Sequence, residues 1–212
     1  HKLGTEGYDG RGVQMIRTAA DTDKAFDRPG ILEKCIDFQT EISVIVARNE
    51  RGEVATYPSV ELSFHPEANL VEFLFSPADL TKEIEIKAQT LAVEVITQLK
   101  MVGLLAVEMF LTREGELLVN EVAPRTHNSG HHTIEANQTS QFEQHLRAVL
   151  NLPLGTTQML IPAAMVNLLG ASNYTGNAVY EGLSEAMKIP GVHLHLYGKK
   201  ITKPFRKMGH VT

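Results

Sequence analysis

A single cysteine, Cys35, stands in 212 residues. That excludes an intrachain disulfide and a thiolate zinc cluster, and makes a reducing cytoplasm the expected compartment. No apolar run approaches the roughly 18 residues of a membrane span, so a membrane is not an expected partner. No stretch reads as a signal peptide, a low-complexity tract or an internal repeat. Acidic residues are also missing from one place. None follows Glu185, and the last 27 residues carry six Lys and Arg, although the whole chain has a net charge of −5. A short basic tail on an acidic body suits either a nucleic acid or a small phosphorylated ligand. Nucleic-acid surfaces spread their positive charge more widely and add stacking aromatics. Only Tyr197 and Phe205 lie near this tail, so a small phosphate is the favoured ligand and a nucleic acid is not.

What the chain does contain is an apolar fraction of 43 %, enough to build one large domain or two small ones. The pattern reads as α+β. Short strands are expected over 13–16 and 31–35, with Asp21 capping a short helix between them. Over 41–48 the sequence alternates, with Ile42, Val44 and Val46 on one face and Glu41, Ser43 and Ile45 on the other. A turn at 49–52 returns the chain over 53–57. The clearest helix spans 81–100, with Ile84, Ala88, Leu91, Val95, Ile96 and Leu99 as its apolar stripe and Gly103 as its stop. A second helix opens at Ser140, whose Ser-Gln-Phe-Glu is a capping box, and ends before Pro153. The domain boundary is placed at 152, giving units 1–152 and 153–212. The second unit is β-rich, with strands over 163–169 and 192–197.

Three segments carry chemistry. Gly7-Tyr8-Asp9-Gly10-Arg11-Gly12 is a glycine-rich loop, preceded by Lys2 and followed by Val13. Its backbone can approach a ligand closely, and successive N–H groups in such a loop form an anion-binding concavity. A plain surface turn would read the same way. The second segment is a hairpin, with strands over 104–112 and 117–123 around Arg113-Glu114-Gly115-Glu116. Centred between Glu114 and Gly115, it sets Glu108 opposite Glu121, with Cβ atoms about 5 Å apart. Facing like charges destabilise a sheet, and a hard divalent cation such as Mg²⁺ would offset them. Two solvated glutamates in a slipped register fit the same spacing. The third segment is the pair of blocks NEVAPRTHNSGHH, residues 120–132, and KPFRKMGHVT at the end. Arg125 can grip a phosphate or carboxylate in bidentate fashion, and a turn beginning at 127 offers N–H groups to an oxyanion. His127, His131 and His132 also raise zinc, but no cysteine supports it.

In this order, the glycine loop, the NE-APR-HNSGH block and the KP-RKMGH tail resemble the N5-carboxyaminoimidazole ribonucleotide synthetase family of ATP-grasp carboxylases. The resemblance runs from Lys2 to the last residue. It implies a partial ATP-grasp domain with a small C-terminal β-rich domain. It also implies a Rossmann-like N-terminal domain and the first part of the ATP-grasp module before residue 1, and a homodimer at full length. The implied cofactors are ATP and Mg²⁺, with the metal held by Glu108 and Glu121 and with Asn120 beside it. Glu33, Lys34, Cys35 and Ile36 would form the adenine hinge, and Glu41 would accept from the ribose, although an exposed strand glutamate reads the same. Lys2 would contact phosphate or adenine. Gly7, Gly10, Gly12 and Val13 would close over the phosphates. His65 is a nucleotide contact or an ordinary core or surface histidine. Tyr8, Asp9, Arg11, Arg125, Asn128 and His131 would be catalytic. Asn128 and Ser129, with Lys199, Lys203, Arg206 and Lys207 of the tail, would hold the acceptor, near Tyr197. Phe205 stands where the family has glycine. The implied reaction is the ligase-type carboxylation of 5-aminoimidazole ribonucleotide by bicarbonate, forming a C–N bond through carboxyphosphate in purine biosynthesis. Other readings are an ATP-grasp ligase with another acceptor, or a nucleotide-binding piece without activity.

Overall fold

The structure is a computed structural model that describes residues 1–5, 12–65 and 70–212. In chain order its strands are β1 (Lys2–Leu3), β2 (Gly30–Ile31), β3 (Phe38–Arg48), β4 (Val54–Thr56), β5 (Val60–Phe64) and β6 (Val71–Ser76). Helix α1 (Lys82–Gln98) leads into the hairpin of β7 (Gly103–Thr112) and β8 (Leu117–Ala123). Then come α2 (Thr133–Ala136), α3 (Gln141–Val149), β9 (Ala163–Leu169), β10 (Gly176–Asn177), α4 (Leu183–Ala186), β11 (Leu194–Leu196), β12 (Ile201–Thr202) and β13 (Lys207–Val211). The main sheet has the order β11-β13-β9-β6-β5-β3-β7-β8, with β4 paired to β3. It is antiparallel throughout and runs without a break from the strands before residue 152 into those after it through the β6–β9 pairing.

Strand β3 sits at the centre because it has apolar residues on both faces. Ile42, Val44 and Val46 pair with Met109, Val107 and Leu105 of β7 and pack under Ala88, Ala92 and Ile96 of α1. Two alanines let the helix backbone lie close, and a buried Ile96 contributes about 1.5–3 kcal/mol. On the other face, Ala47, Ile45, Leu104 and Ala106 form a second apolar cluster with Tyr57. Farther along that face come Ser43 beside Glu108 and Glu41 beside Phe110. The second face therefore changes from apolar to polar along a single pair of strands, and the polar end is the candidate site.

Helix α1 starts at the Thr81 cap, whose hydroxyl accepts from the Ile84 N–H. It stops where Lys100 takes a left-handed φ of 50°, and Gly103 instead opens β7. The apolar stripe is also shifted. Ala92 is buried, whereas Leu99 lies past the last turn and is exposed. The strand expected over 13–16 reduces to one bridge from Val13 to Lys2, since Val13 and Met15 are exposed with no sheet to cover them. The strand expected over 31–35 ends at Ile31, and Leu32 is 82 % exposed. Asp21 caps its 3-10 turn from the third position, where its carboxylate accepts from the Thr18 and Arg17 N–H groups and completes a capping box with Thr18. The final strand expected over 192–197 forms at Leu194–Leu196. No helix among the described residues is long and apolar enough to cross a membrane.

Candidate active site

Glu108 and Glu121 are direct partners across the β7–β8 hairpin. Nearer the turn, Leu111 faces Leu117 and Met109 faces Val119, so the hairpin is centred on Glu114, half a residue earlier than the sequence suggests. A β-bulge at Asn120 then restores the register and brings Glu121 opposite Glu108. The bulge also turns two consecutive residues toward one site. Asn120 Nδ2 donates to Glu41 Oε1 at 3.2 Å, while Glu121 faces Glu108. Three carboxylates thus gather on one face. Two unit charges about 5 Å apart repel by about 3 kcal/mol at an effective dielectric near 20, so neighbouring cations matter. Lys2 Nζ lies 3.6 Å from Glu121 Oε2. The charges of Lys207 and Arg125 act on Glu108.

Burial dominates the electrostatics. It pushes the Glu108 carboxyl up to about 8, with the charges of Glu121 and Glu41 adding to the rise. Burial pushes Glu41 up to about 7, against the Asn120 hydrogen bond and the charge of Lys2. Added positive charge would favour the ionised form of both groups. Among the described residues no cluster of three or more His, Cys, Asp or Glu side chains is arranged to hold a metal ion. A pair of crowded carboxylates nevertheless fits a hard cation whose remaining ligands are phosphate oxygens.

Above this face runs residues 127–136, which crosses the sheet as a strap. His127 Nε2 lies 3.7 Å from Glu108 Oε1 on β7. The Ser129 hydroxyl bonds the Ser43 hydroxyl of β3 at 2.8 Å and His127 Nδ1 at 2.9 Å. Asn128 and Asn167 of β9 exchange two amide hydrogen bonds of 2.8 and 2.9 Å. The His131 ring stacks on His210 of β13 at 4.8 Å. Glu135 Oε1 meets His195 Nε2 of β11 at 2.6 Å. One segment therefore ties together strands from both parts of the chain. Asn167 is buried and gives its other N–H to the Val71 carbonyl, so its hydrogen-bonding capacity is spent on holding Asn128.

The other expected residues are placed as follows. Tyr8, Asp9, Arg11, Gly7 and Gly10 lie outside the described residues. Gly12 accepts from the Leu3 N–H at 2.8 Å, and Val13 bridges Lys2, which keeps both near the Lys2–Glu121 pair. Glu33, Lys34 and Cys35 are exposed and Ile36 half-buried, on irregular chain just before β3. His65 follows β5, three residues past Leu62, the partner of Glu41, and packs edge-on against Phe205 at 5.2 Å. In the tail, Lys199 Nζ donates to the Lys207 carbonyl and Arg206 donates to the Ile201 carbonyl, while Lys203 is exposed. Lys207 acts on both Glu108 and His131 and so joins the tail to the carboxylate site. Sequence reasoning missed Phe110, stacked on Phe38 at 4.6 Å beside Glu41, and also Asn167 and Gln141. The Phe110 position was available from strand alternation; the other two depend on long-range contacts.

The carboxylate hairpin, the central strand beside it and the strap above them define an ATP-grasp protein. The ATP-grasp domain description matches residues 1–142, and the chain belongs to that family. Residues 163–212 match the phosphoribosylaminoimidazole carboxylase C-terminal domain. N5-carboxyaminoimidazole ribonucleotide synthase of Bacillus subtilis is 47 % identical over 210 residues, covering 97 % of this chain and 53 % of that protein. The crystal structure of the synthetase from Thermotoga maritima aligns with a TM-score of 0.86 and 49 % identity, over 94 % of this chain and 53 % of that one. The synthase from Aspergillus clavatus in complex with ADP and 5-aminoimidazole ribonucleotide aligns with a TM-score of 0.81 and 36 % identity, over 89 % and 50 %. The chain spans about half the length of the curated relatives it matches.

Proposed function

We propose that this chain is the nucleotide- and acceptor-binding portion of an enzyme that carboxylates 5-aminoimidazole ribonucleotide with bicarbonate and ATP, giving N5-carboxyaminoimidazole ribonucleotide, ADP and phosphate. The observation that carries this reading is the convergence of Glu108, Glu121, Glu41 and Asn120 under a strap bearing HNSGH, with the charge of Lys207 in the tail acting on Glu108. The relatives' names and the match over 163–212 favour this acceptor over that of another ATP-grasp ligase.

Bicarbonate oxygen attacks the terminal phosphorus of ATP and ADP departs, forming carboxyphosphate. The exocyclic amine then attacks the carboxyl carbon, phosphate leaves and the amine loses a proton. Such chemistry is mostly positioning and charge neutralisation. A magnesium ion held by Glu108 and Glu121 would neutralise charge across the terminal phosphates. Glu41, oriented by Asn120, accepts from the ribose, and Phe110 with Ile36 lines the adenine side. Lys2 and Gly12 lie by the phosphates, where Gly7, Tyr8, Asp9, Gly10, Arg11 and Val13 are assigned by their motif. Ser129 and Asn128 fix the strap, while Arg125 and Lys207 offer positive charge to the intermediate. Lys199, Lys203 and Arg206 take the 5′-phosphate. The same reading makes the complete enzyme a cytoplasmic homodimer, with a unit boundary at 152 that lies between the two matched stretches.

A charge-assisted phosphate contact is worth roughly 1.5–3 kcal/mol. Arg206→Ala in the complete protein therefore raises the apparent KM for the ribonucleotide by about ten-fold or more and leaves that for ATP unchanged. The reverse pattern would place the two ligands at the wrong ends of the chain.

A further inference from the structure

Gln141, the first residue of α3, is fully buried and grips the strap at three points. The His127 N–H donates to Gln141 Oε1 at 2.8 Å, and Gln141 Nε2 donates to the His127 carbonyl at 2.7 Å. These two backbone bonds leave no choice of amide orientation, since exchanging O and N would set donor against donor and acceptor against acceptor. The remaining N–H of Nε2 meets His131 Nδ1 at 3.0 Å. An amide nitrogen can only donate there, so Nδ1 is the acceptor. A neutral imidazole that accepts at Nδ1 carries its proton on Nε2.

The surroundings are built for this arrangement. A Cβ on Gly130 would stand 2.5 Å from Gln141 Oε1, so only glycine lets the strap approach the amide. The Thr133 hydroxyl donates to the Gly130 carbonyl and accepts from the Gln141 N–H at 2.9 Å, closing the turn around the clamp. The His131 ring lies against Phe142 and His210, with Tyr197 edge-on. The titratable groups that act on it, His127, Lys207, His132 and His195, are all bases, and with burial they push it down to about 4. Among the described residues its Nε2 has no hydrogen-bond partner.

We propose that Gln141 is a positioning residue that holds His131 as the neutral Nε2–H imidazole, making His131 a hydrogen-bond donor to the carboxyl or phosphoryl anion at the site and not a base. The identity of that anion rests on the function proposed above; the tautomer does not. The test is the long-range ¹H–¹⁵N spectrum of the imidazoles at pH 7, with His131 assigned by its loss in His131→Gln. The wild-type protein shows His131 protonated on Nε2 alone. Finding the proton on Nδ1, or a charged ring, overturns the proposal whether or not Gln141→Glu folds. In Gln141→Glu the new carboxylate accepts from Nδ1, so that nitrogen becomes protonated; an unchanged Nε2–H form in the folded variant overturns the clamp. Adding 5-aminoimidazole ribonucleotide or inorganic phosphate shifts the Nε2 resonance while Nδ1 stays bare. Silence toward both, or proton uptake by Nδ1, overturns the donor role. A protein that keeps the tautomer and responds to phosphate but does not carboxylate contradicts the proposed function and leaves this inference standing.

Discussion

Glu108 and Glu121 face each other only because Asn120 is bulged out of the β7–β8 ladder. Were Asn120 kept in a regular ladder, Glu108 would face Asn120, and Glu121 would turn to the opposite face of the strand. The bulge thus delivers a carboxylate to the site and an amide to Glu41 in a single step. Deleting Asn120 should straighten the ladder with Glu121 still opposite Glu108, while Glu41 loses its amide partner.

The first prediction concerns Glu121, whose side chain is 54 % exposed and so carries little of the fold. Glu121→Gln keeps the shape and removes one charge from the pair. Binding of Mg²⁺ together with a nucleotide should weaken about ten-fold or more, in line with a lost charge-assisted contact, while the melting temperature holds. Calorimetric titration with and without magnesium reads this directly. An unchanged magnesium dependence would remove Glu121 from the metal site.

Stability should depend on pH in a window set by the buried groups. Glu108 and Glu41 are held above the ordinary carboxylate value of 4.5, at about 8 and about 7. A raised carboxylate means that the folded state binds more protons than the unfolded one, so stability falls as pH rises toward the folded value. The lowered His131 and His210 have the opposite slope, confined below the ordinary histidine value of 6.5. Between pH 6.5 and about 8 the carboxylates act alone. The metal-free chain should therefore lose stability across that interval, and Mg²⁺ with ATP should flatten the loss. Denaturant titrations at a series of pH values would show it; a rising curve would contradict the burial of these two groups.

Much of this was legible in the sequence because it is local. Alternation over 41–48 placed Ser43 and Glu41 on one face. The facing glutamates were expected from a regular hairpin centred between Glu114 and Gly115, whereas they arise from a turn centred on Glu114 and a bulge at Asn120. The strap was not legible, because its partners lie far along the chain. Asn128 and Asn167 are 39 positions apart, and Glu135 and His195 are 60 apart. No periodicity connects such pairs. The strands expected over 13–16 and 31–35 failed for a related reason, since apolar β-branched residues form strands only where a sheet exists to cover them.

The Asn128–Asn167 pair gives a third prediction. Asn167→Leu leaves the half-buried Asn128 amide and the buried Val71 carbonyl without their partners. The expected loss is about 1–3 kcal/mol for each group left unsatisfied. The double substitution Asn128→Leu/Asn167→Leu should cost less than the sum of the single changes, because each removes the other's stranded partner. Strict additivity in a thermal or denaturant cycle would show that the pair does not couple strap and sheet.

A fourth prediction follows from Phe205, which holds a left-handed φ of 57° in the tail. That conformation suits glycine and costs a non-glycine residue about 1–2 kcal/mol. Phe205→Gly exchanges this strain for the lost contact with His65 and should change stability little. Phe205→Val keeps an apolar side chain but adds a β-branch that the conformation disfavours, and should be clearly less stable. Equal melting temperatures for the two variants would contradict the strain.

The central claim is that this sheet face serves carboxylation of an aminoimidazole ribonucleotide. The most direct measurement supplies the complete protein with ATP, magnesium, ¹³C-bicarbonate and 5-aminoimidazole ribonucleotide, and follows carbon incorporation beside ADP release. The account predicts label on the exocyclic nitrogen, one ADP for each carboxylation, and loss of both in Glu108→Gln. ADP release that ignores the ribonucleotide, or label that enters at the same rate in Glu108→Gln, would contradict it.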